Sequence, residues 1–581
     1  MASPLAEKIR NSKTTKQVIA AFKRKMDDTV FHIKSEDAYL PYEGKVIRHI
    51  IIQHIGFDRT VIDTTRNIKA LFANAANYLH TNTRDWVVRN NLFVKEGESF
   101  NAYRIADNER YLRDRDFILD ARIHVKPVNE SPDSVDLLVV TRDVFSLGVF
   151  VTPESQTSYK LKIQDANLLG MGQRFEYTQV YDARRNPRTG WEVLYRKNNV
   201  AGTFIDATMA YTQLNSGSSL GNENENALYL RLNRPLFMPY TKWAAGLEWS
   251  TNQAANVTAK PDSTFARYRY DIQDLWGGYS FGQSKKNKSI RENRNRKFLA
   301  LRGFQQSFTQ FPAIQLRKSE QYYYRDRKSI MGQLTFFRQD FYKTQYVLGF
   351  GRTEDVPYGY RISFTGGLEK ELGQQRPYVD AQLYHNIVNK SGTFITYNIK
   401  LASFYNHRRS EEGLILFDVT RFSRIYRMGK YKVRHQLEGG YSQQFNPIQK
   451  RLLDINDVNG ITGLRADTLV GDRRLILNAQ TVVFTPWTLL GFKLAPLLRI
   501  DLAYLAMPNE AMFEKKNFFS GIILGMRARN ENLIFNTIEA LITFFPKTVE
   551  GVSRFRLDFR TNIRLKYPTT LVSAPATIYN P

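Results

Sequence analysis

The sequence predicts a mainly β protein: a transmembrane antiparallel β-barrel of about 16 strands, preceded by a small α+β domain. Three observations predict this class. Strand-length segments alternate between apolar and charged residues, no stretch is apolar enough for a transmembrane helix, and a compact β-α-α-β-β pattern precedes the alternating segments.

The last predicted strand shows the alternation most clearly. Residues 553–567 read SRFRLDFRTNIRLKY, with apolar residues at the odd positions from Phe555 to Tyr567, except Thr561, and charged or polar residues at the even positions. Because side chains alternate across a strand, one face is apolar and the other is charged. One such strand also fits a soluble sandwich, so the prediction depends on repetition.

The same alternation recurs along the chain, and strand candidates continue around Thr203, Lys297 and Met331. The further alternating segments are Trp191 to Arg196, Leu228 to Asn233, Arg267 to Gln273, Tyr360 to Thr365, Val379 to Gln382, Ile395 to Leu401 and Tyr431 to Tyr441. Segments of ~10 residues that alternate in this way between turns are typical of a transmembrane barrel with a wet interior.

Composition narrows the possible functions. A net charge of +27 would indicate a nucleic-acid partner for a soluble protein. Here the cations alternate with apolar residues on strands, so we assign them to lumen and loops and expect no nucleic acid. The absence of cysteine excludes disulfides, thiolate metal sites and cysteine catalysis.

We divide the chain into an N-terminal extension (1–42), an α+β domain (43–147), the barrel (148–567) and a C-terminal tail (568–581). The extension contains a helical candidate from Lys16 to Met26. Met1 to Lys25 lacks the apolar core of a signal peptide, so the barrel interpretation implies that a secretory signal has been removed.

The α+β domain has five predicted elements, with Ser99 and Asn101 as candidate caps of its second helix. The elements are a strand at Lys45 to Phe57, helices at Arg66 to Asn90 and Ala102 to Asp114, and strands at Ile118 to Val125 and Val135 to Val144.

This domain resembles the last POTRA domain of the BamA/TamA superfamily of outer-membrane assembly and secretion barrels. The resemblance lies in FVKEGESFNAYRIADNERYLRDRDFILDARIHVKP followed by VDLLVVTRDVFSLG. The family's glycine-rich entry, E-R-x-L-like helix and x-D-A-x-V strand correspond to Gly97, Glu109 to Leu112 and Asp120 to Ile123.

A second similarity lies just downstream, in DANLLGMGQRFEY. Asn167, Gly170, Gly172 and Gln173 match the N-L-x-G-x-G-Q segment at the first barrel hairpin of the same family. A plain glycine turn between two strands explains the same residues, and both interpretations can hold.

The third similarity is a long loop, ITGLRADTLVG. The resemblance implies that this loop folds into the lumen, where Arg465, with Gly463 before it and Gly471 after it, pairs with inward-facing acidic and aromatic side chains. Ala466 and Asp467 stand where the family has glycine and an aromatic residue. Five predicted strands follow: Leu475 to Phe484, Phe492 to Leu505, Phe518 to Arg529, Thr537 to Phe545 and Phe555 to Tyr567.

The resemblance also implies a lateral seam where the first and last barrel strands meet. We place Tyr159, Leu161 and Ile163 on its first side. The second side carries Phe555, Leu557, Phe559 and Ile563. The tail lacks the usual terminal aromatic residue, so either Tyr567 is its equivalent or the tail lies in the seam or the periplasm.

The function implied by the resemblance is non-enzymatic assistance in inserting, assembling or translocating client polypeptides. POTRA strand addition and the seam would supply the mechanism, in the outer membrane of a diderm, Gram-negative bacterium with the POTRA-like domain in the periplasm. Expected partners are client outer-membrane or secreted polypeptides, outer-membrane lipid, and accessory periplasmic or lipoprotein subunits. An anion-selective channel or receptor barrel is the alternative, and a membrane-embedded hydrolase is a third hypothesis.

No residue pattern predicts catalytic residues, a cofactor or a metal site. The eight histidines are scattered, and no metalloprotease, P-loop or dinucleotide motif occurs. Gly217 to Gly221 matches G-x-S-x-G but no helix follows, so we interpret it as a loop. We interpret the basic insert Ser284 to Arg296 as a solvated loop.

Overall fold

The computed structural model describes most of the chain. The described residues are 32–55, 81–129, 131–155, 157–282, 294–315, 323–371, 373–448, 452–466, 468–489, 491–530, 537–563 and 572–578. Within these residues, no helix is both long and apolar enough to cross a membrane. The helical candidate at Lys16 to Met26 and residues 66–80 of the first predicted helix lie outside them.

The α+β unit has three strands and two helices among the described residues. These elements are β2 (Val46–Ile55), α1 (Asp85–Asn90), α2 (Ala102–Asp114), β3 (Ile118–Val128) and β4 (Ser131–Asp143). The sheet order is β2-β4-β3, with β2 parallel and β3 antiparallel to β4.

The second helix begins where the sequence predicts. Asn101 is its N-cap, and its side-chain oxygen accepts from the backbone N–H of Arg104 at 2.9 Å. Apolar side chains of α2, including Ile105 and Leu112, pack against those of β3 and β4 to form one buried core. The strands and helix α2 therefore form a folded unit of their own.

A single large antiparallel sheet of about 20 strands occupies the rest of the chain. Its long strands up to residue 344 are β5 (Leu147–Ser155), β6 (Ser158–Asp165), β7 (Gln173–Asp182), β8 (Thr189–Lys197), β9 (Asp206–Thr212), β10 (Asn224–Arg234), β11 (Trp243–Ala255), β12 (Arg269–Phe281), β13 (Arg296–Gln310) and β14 (Arg327–Thr344).

The remaining long strands are β15 (Glu354–Glu371), β16 (Gln374–Val388), β17 (Phe394–Asn406), β18 (Arg409–Phe422), β20 (Tyr431–Phe445), β23 (Arg473–Phe484), β25 (Phe492–Ala506), β26 (Phe518–Arg529), β27 (Thr537–Phe544) and β28 (Phe555–Ile563). The predicted count of about 16 was therefore too low. Lys297 and Met331 lie in strands, whereas Thr203 lies in a turn. Five long strands follow the loop near Gly463, as predicted.

Short strands complete the sheets. Among these, β1 (Ile33–Lys34) pairs with β14, which docks the end of the N-terminal extension on the large sheet. The others are β19 (Tyr426–Met428) on β20, β24 (Thr488–Leu489) on β25, and the separate ladder of β21 (Leu453–Asp454) with β22 (Val470–Gly471).

The large sheet has two unlike faces. We call the face with exposed apolar side chains the outer face; on β28 it carries Phe555, Leu557 and Phe559, which are 66, 61 and 59% exposed. We call the opposite face the inner face; on β13 it carries the buried residues Phe298 and Arg302. The alternation read from the sequence is therefore present as two physical surfaces.

The connection between β14 and β15 folds over the inner face. Phe350, in this connection, packs against Phe484 of β23 with ring centroids 5.6 Å apart, and it joins a buried cluster with side chains of β25, β26 and β27. The backbone oxygen of Phe350 also accepts from Lys493 Nζ at 3.2 Å. Because these strands lie far apart in the sheet order, the sheet curls around its inner face.

Candidate functional site

The α+β unit meets the large sheet through a buried cluster of charges. Glu109 of α2 lies 2.6 Å from Arg113 Nη1 and 2.5 Å from Lys343 Nζ of β14. Its other carboxylate oxygen accepts from the backbone N–H of Ile123 at 2.9 Å and from the Tyr39 hydroxyl. One carboxylate thus links the extension, α2, β3 and the large sheet.

Electrostatics keeps this carboxylate ionised. Burial alone would raise the pKa of Glu109, but the cations Lys343, Arg113 and Arg122 outweigh burial and hold the pKa well below its usual range. Burial raises the pKa of the adjacent Tyr39 well above its usual value, and the charge of Glu109 raises it further. Tyr39 is therefore a neutral donor to an anionic acceptor.

Two arginines join the unit to the sheet through further ion pairs. Arg113 holds both carboxylate oxygens of Asp355, the second residue of β15. Arg294 is 2% exposed and pairs with Asp107 of α2 and with Asp340 of β14. Residues 284–293 of the predicted solvated loop Ser284 to Arg296 lie outside the described residues. The prediction was wrong for Arg294, because two carboxylates from different elements enclose its guanidinium, and for Arg296, which is buried at the start of β13.

The predicted first-hairpin motif is a second docking point of the α+β unit. Asn167, in the turn between β6 and β7, donates through Nδ2 to Thr83 Oγ1 at 2.8 Å and accepts from the backbone N–H of Gly172 at 2.8 Å. The backbone N–H of Arg84 donates to the carbonyl of Gly170 at 2.9 Å. Gln173 begins β7.

The two glycines are there for steric reasons. Gly170 and Gly172 have φ of +68° and +63°, and a Cβ at Gly170 would collide with the carbonyl oxygen of Asn82. A Cβ at Gly172 would lie 3.2 Å from Val87 of α1. The predicted glycine turn is therefore present, and the same turn contacts the α+β unit.

The predicted lumenal loop folds onto the inner face of the last strands. The backbone N–H of Thr462 donates to Asp501 of β25 at 2.8 Å, and Asp457 pairs with Arg560 of β28. A Cβ at Gly463 (φ +80°) would lie 2.8 Å from Oδ2 of Asp558. Gly471 ends β22, where the loop returns to the sheet.

The arginine of this loop makes a weaker contact than the family resemblance implies. Arg465 Nη2 lies 4.0 Å from Asp558 Oδ1, and its side chain is 66% exposed. Asp558 lies closer to Arg556, at 2.9 Å. The loop is therefore held mainly by backbone donors, by Asp457 and by a buried apolar cluster that includes Ile461 and Leu464. Asp467 lies outside the described residues.

The seam residues divide into two groups. Tyr159, Leu161 and Ile163 lie on β6, which pairs with β5 on one side and with β7 on the other, so they do not lie on an edge strand. Their placement at the seam was wrong, because the preceding strand was missed: β5 contains Gly148 and Pro153, which weaken a strand pattern.

The last strand exposes the apolar side chains that the alternation predicts for its outer face. Phe555, Leu557 and Phe559 lie on the outer face of β28, and Ile563 is the last residue of that strand. In the described part of the chain, β28 forms an antiparallel ladder with β27.

Two contributors to the site were missed at the sequence level. The i,i+4 spacing of Glu109 and Arg113 could have indicated an ion pair on α2, but nothing in the sequence connects either residue to Lys343 or Asp355.

The C-terminal tail was expected in the seam or periplasm. Its described part, residues 572–578, instead lies on the inner face, where Val572 is buried among side chains of β11, β13 and β14.

Within the described residues, no group of three or more His, Asp or Glu side chains is arranged to hold a metal ion. The site consists of docking contacts between backbone segments, ion pairs and apolar clusters. Such contacts can hold or release a polypeptide segment.

Fold and site together define a class: a mainly β protein whose sheet of about 20 strands exposes apolar side chains on one face and encloses charges and loops on the other. No protein-family model matches the chain, and no curated protein matches it.

Solved structures provide similarities at low identity. CdiB from Acinetobacter baumannii has 9% identity and a TM-score of 0.43, covering 91% of this chain and 77% of that chain. CdiB from Escherichia coli has 10% identity and a TM-score of 0.37, with 97% and 99% covered. BamA from Haemophilus ducreyi lacking POTRA domains 1–3 has 10% identity and a TM-score of 0.32, with 89% and 84% covered.

Proposed function

We propose that the chain is an outer-membrane β-barrel of the BamA/TamA type that assists the insertion, assembly or translocation of client polypeptides without enzymatic chemistry. In this proposal the large sheet closes with β28 beside β5, and the α+β unit is a POTRA-like domain in the periplasm of a diderm bacterium. Accessory periplasmic or lipoprotein subunits are compatible partners.

The observation that carries the membrane assignment is the difference between the two faces of the sheet. Exposed side chains on the outer face of β12 and β13 include Leu275, Leu299 and Leu301, at 61, 49 and 63% exposure. The inner face of the same strands carries the ion pair of Arg302 with Asp274 at 2.7 Å. An apolar outside and a charged inside suit lipid on one side and an aqueous interior on the other.

Strand length supports a seam between β5 and β28. These strands have 9 residues each and their neighbours β6 and β27 have 8, whereas β14 and β15 have 18 each. Fewer residues form fewer ladder hydrogen bonds, and Pro153 in β5 has no N–H to donate. Separating the two strands of a short seam costs less free energy than separating a pair of long strands on the opposite side of the sheet. The edges exposed in this way can pair with a client strand.

The α+β unit offers a second strand-addition site. In the described part of the chain, β2 is an edge strand that pairs with β4 and, beyond it, only through a bridge of Val46 to Ser99. The other edge, on β3, is already bonded by Tyr39, Glu109 and Arg113 at Ala121 and Ile123. An extended client segment can add to the β2 edge through main-chain hydrogen bonds. The ion pairs of Arg113 and Arg294 would hold this edge at a fixed place relative to the large sheet.

Site-specific photocrosslinking in intact cells tests the proposal. A photoreactive residue at Val149 of β5 or Phe559 of β28, both on the outer face near the proposed seam, should form adducts with an outer-membrane or secreted polypeptide. Leu299 of β13 is the matched control, since it is 49% exposed on the same face but far from the seam. Equal adduct patterns at Leu299 and Phe559 would contradict the seam.

Depletion followed by a census of the outer-membrane proteome separates the possible clients. Loss of many outer-membrane proteins supports general assembly, and loss of one secreted polypeptide supports dedicated secretion. An unchanged proteome, together with anion-selective conductance of the purified protein, would favour the alternative of an anion channel.

A further inference from the structure

The C-terminal tail occupies a defined place on the inner face. Val572 is 3% exposed and packs in a buried cluster with Leu236, Ala244, Phe298, Ala300 and Phe337. Ile578 packs against a second cluster, whose members are Met331, Tyr378, Ala402 and Phe404. The tail therefore crosses the inner face from β11 to β17.

Polar contacts fix the backbone of the tail between these two clusters. Arg302, itself buried, donates from Nη1 to the carbonyl oxygen of Pro575 at 2.9 Å, while its other nitrogens bind Asp274 at 2.8 and 2.7 Å. The Tyr378 hydroxyl is hydrogen-bonded to the backbone of Ile578 and donates to Asp380 at 3.0 Å. Two carboxylates thus orient the two side chains that hold the tail.

The inner face beneath the tail is rich in aromatic side chains. Phe298, Phe337, Tyr378 and Phe404 bring their rings from four strands, β13, β14, β16 and β17, to this part of the face. An apolar surface facing an aqueous interior is unfavourable unless it is covered. The tail segment VSAPATI has no charge, so it covers this surface without burying an unpaired ion.

We propose that the inner face of β11–β17 is a binding site for an extended, uncharged polypeptide segment, and that Val572–Ile578 is its resident, displaceable occupant. Proline lacks a backbone N–H and disfavours pairing as a central strand, so Pro575 keeps the tail from becoming a permanent strand of the sheet. The tail is therefore held by side-chain contacts and by a single bridge at Thr577, all of which a competing segment can replace. That a client is the competitor rests on the function proposed above; the site itself does not.

Cysteine accessibility tests the site in the full chain, which contains no native cysteine. Ala300→Cys places a thiol beneath Val572, where Ala300 is 1% exposed. In proteoliposomes a membrane-impermeant maleimide should label this thiol slowly. Deletion of residues 572–581 should speed labelling at least tenfold, and the synthetic peptide LVSAPATIYNP should restore protection. Glu438→Cys, on the inner face of β20 away from the tail, should label equally in all three conditions.

Point variants separate release of the tail from a general loss of folding. Val572→Asp should expose Ala300→Cys, whereas Ser573→Asp should not, because Ser573 is exposed and its neighbour Val572 is buried. Equal labelling with and without the tail, or a peptide that gives no protection, would overturn the proposal. Because no client is present, this outcome is independent of the crosslinking and depletion results that decide the proposed function.

Discussion

Arg113 and Asp355 form a two-pronged ion pair, with Nε to Oδ2 at 2.8 Å and Nη2 to Oδ1 at 2.6 Å. Both side chains are less than a tenth exposed, and they belong to α2 and to β15. The position of the α+β unit on the large sheet thus depends on a buried contact between residues far apart in sequence.

Replacing Arg113 with alanine should loosen this docking. The change leaves Asp355 buried without its cation and removes one of the three cations around Glu109, and breaking a buried pair in this way costs about 3–5 kcal/mol. Amide hydrogen exchange in residues 102–114 of the lipid-inserted protein should therefore become faster.

The matched control is Arg89→Ala. Arg89 lies 3.7 Å from Glu96, with both side chains about half exposed, so its loss should cost at most ~1 kcal/mol. If the two variants exchange at the same rate, the buried pair does not hold the unit in place.

The α+β unit should lose stability as pH falls from 7 to 5. Burial lowers the pKa of His124, the cations Arg122, Lys343 and Lys126 lower it further, and Glu109 partly opposes them. The folded state thus binds its proton at lower pH than the unfolded state, whose histidine titrates near ~6.5. Stability from the neutral His124 is complete above that pH and falls below it, by at most ~1.4 kcal/mol per pH unit.

Pulse proteolysis in urea, performed on proteoliposomes at pH 7.5, 6 and 5, measures this change. His124→Gln should flatten the dependence over that range. Glu109→Gln should not flatten it, because the depressed pKa of Glu109 moves its own loss of stabilisation below ~4.3 and the variant removes the charge that raises the pKa of His124. A slope that is unaffected by His124→Gln would assign the titration to another group.

Gly170→Ala should displace the α+β unit from the turn between β6 and β7 of the large sheet. The substitution places a Cβ against the carbonyl of Asn82 at a φ of +68°, and the φ alone costs about 1–2 kcal/mol. Gly373→Ala is the control, since it has a φ of +75° but no atom within 4 Å of its Cβ. Amide hydrogen exchange at residues 81–90 should become faster only in Gly170→Ala. Equal effects of the two variants would show that backbone strain alone, and not the contact with Asn82, causes the change.

The sequence was sufficient to predict elements whose cause is local. Alternation predicted the strands and the direction of Phe555, Leu557 and Phe559, and the cap at Asn101 predicted the start of α2. The glycines at 170 and 172 marked a turn before its partner was known. In each case the signal lies within about ten residues.

What the sequence could not supply depends on contacts between distant segments. Arg294 looked like part of a solvated basic run, because neither Asp107 nor Asp340 is near it in sequence. Pro153 weakened the pattern of β5, so β6 was predicted to be the first strand of the large sheet. Val572 lies in an uncharged tail that gives no pattern, and only the aromatic side chains of distant strands determine where it binds.

The inner loop should be released by changing Asp501 and not by changing Arg465. Asp501 is fully buried and accepts from the backbone N–H of Thr462, so Asp501→Ala leaves a buried donor unpaired at a cost of about 1–3 kcal/mol. Arg465→Gln removes only an exposed contact at 4.0 Å and should cost under ~1 kcal/mol. Maleimide labelling of Leu464→Cys, at a site that is 1% exposed, reports the release. Faster labelling with Arg465→Gln than with Asp501→Ala would show that the arginine is the principal lock.

A charged substitution on the outer face should destabilise the protein most when it lies at the middle of a strand. Leu275 stands at the middle of β12 and is 61% exposed, while Phe513, in the connection between β25 and β26, is 71% exposed. In lipid, Leu275→Arg should cost about 2–4 kcal/mol of folding free energy, whereas an arginine at Phe513 should cost little, because such penalties are largest at the bilayer midplane. The fraction of heat-modifiable protein formed in vesicles measures both variants. In water, two exposed positions would tolerate arginine equally. Equal folded fractions would therefore show that contact with lipid is not the reason for the apolar outer face.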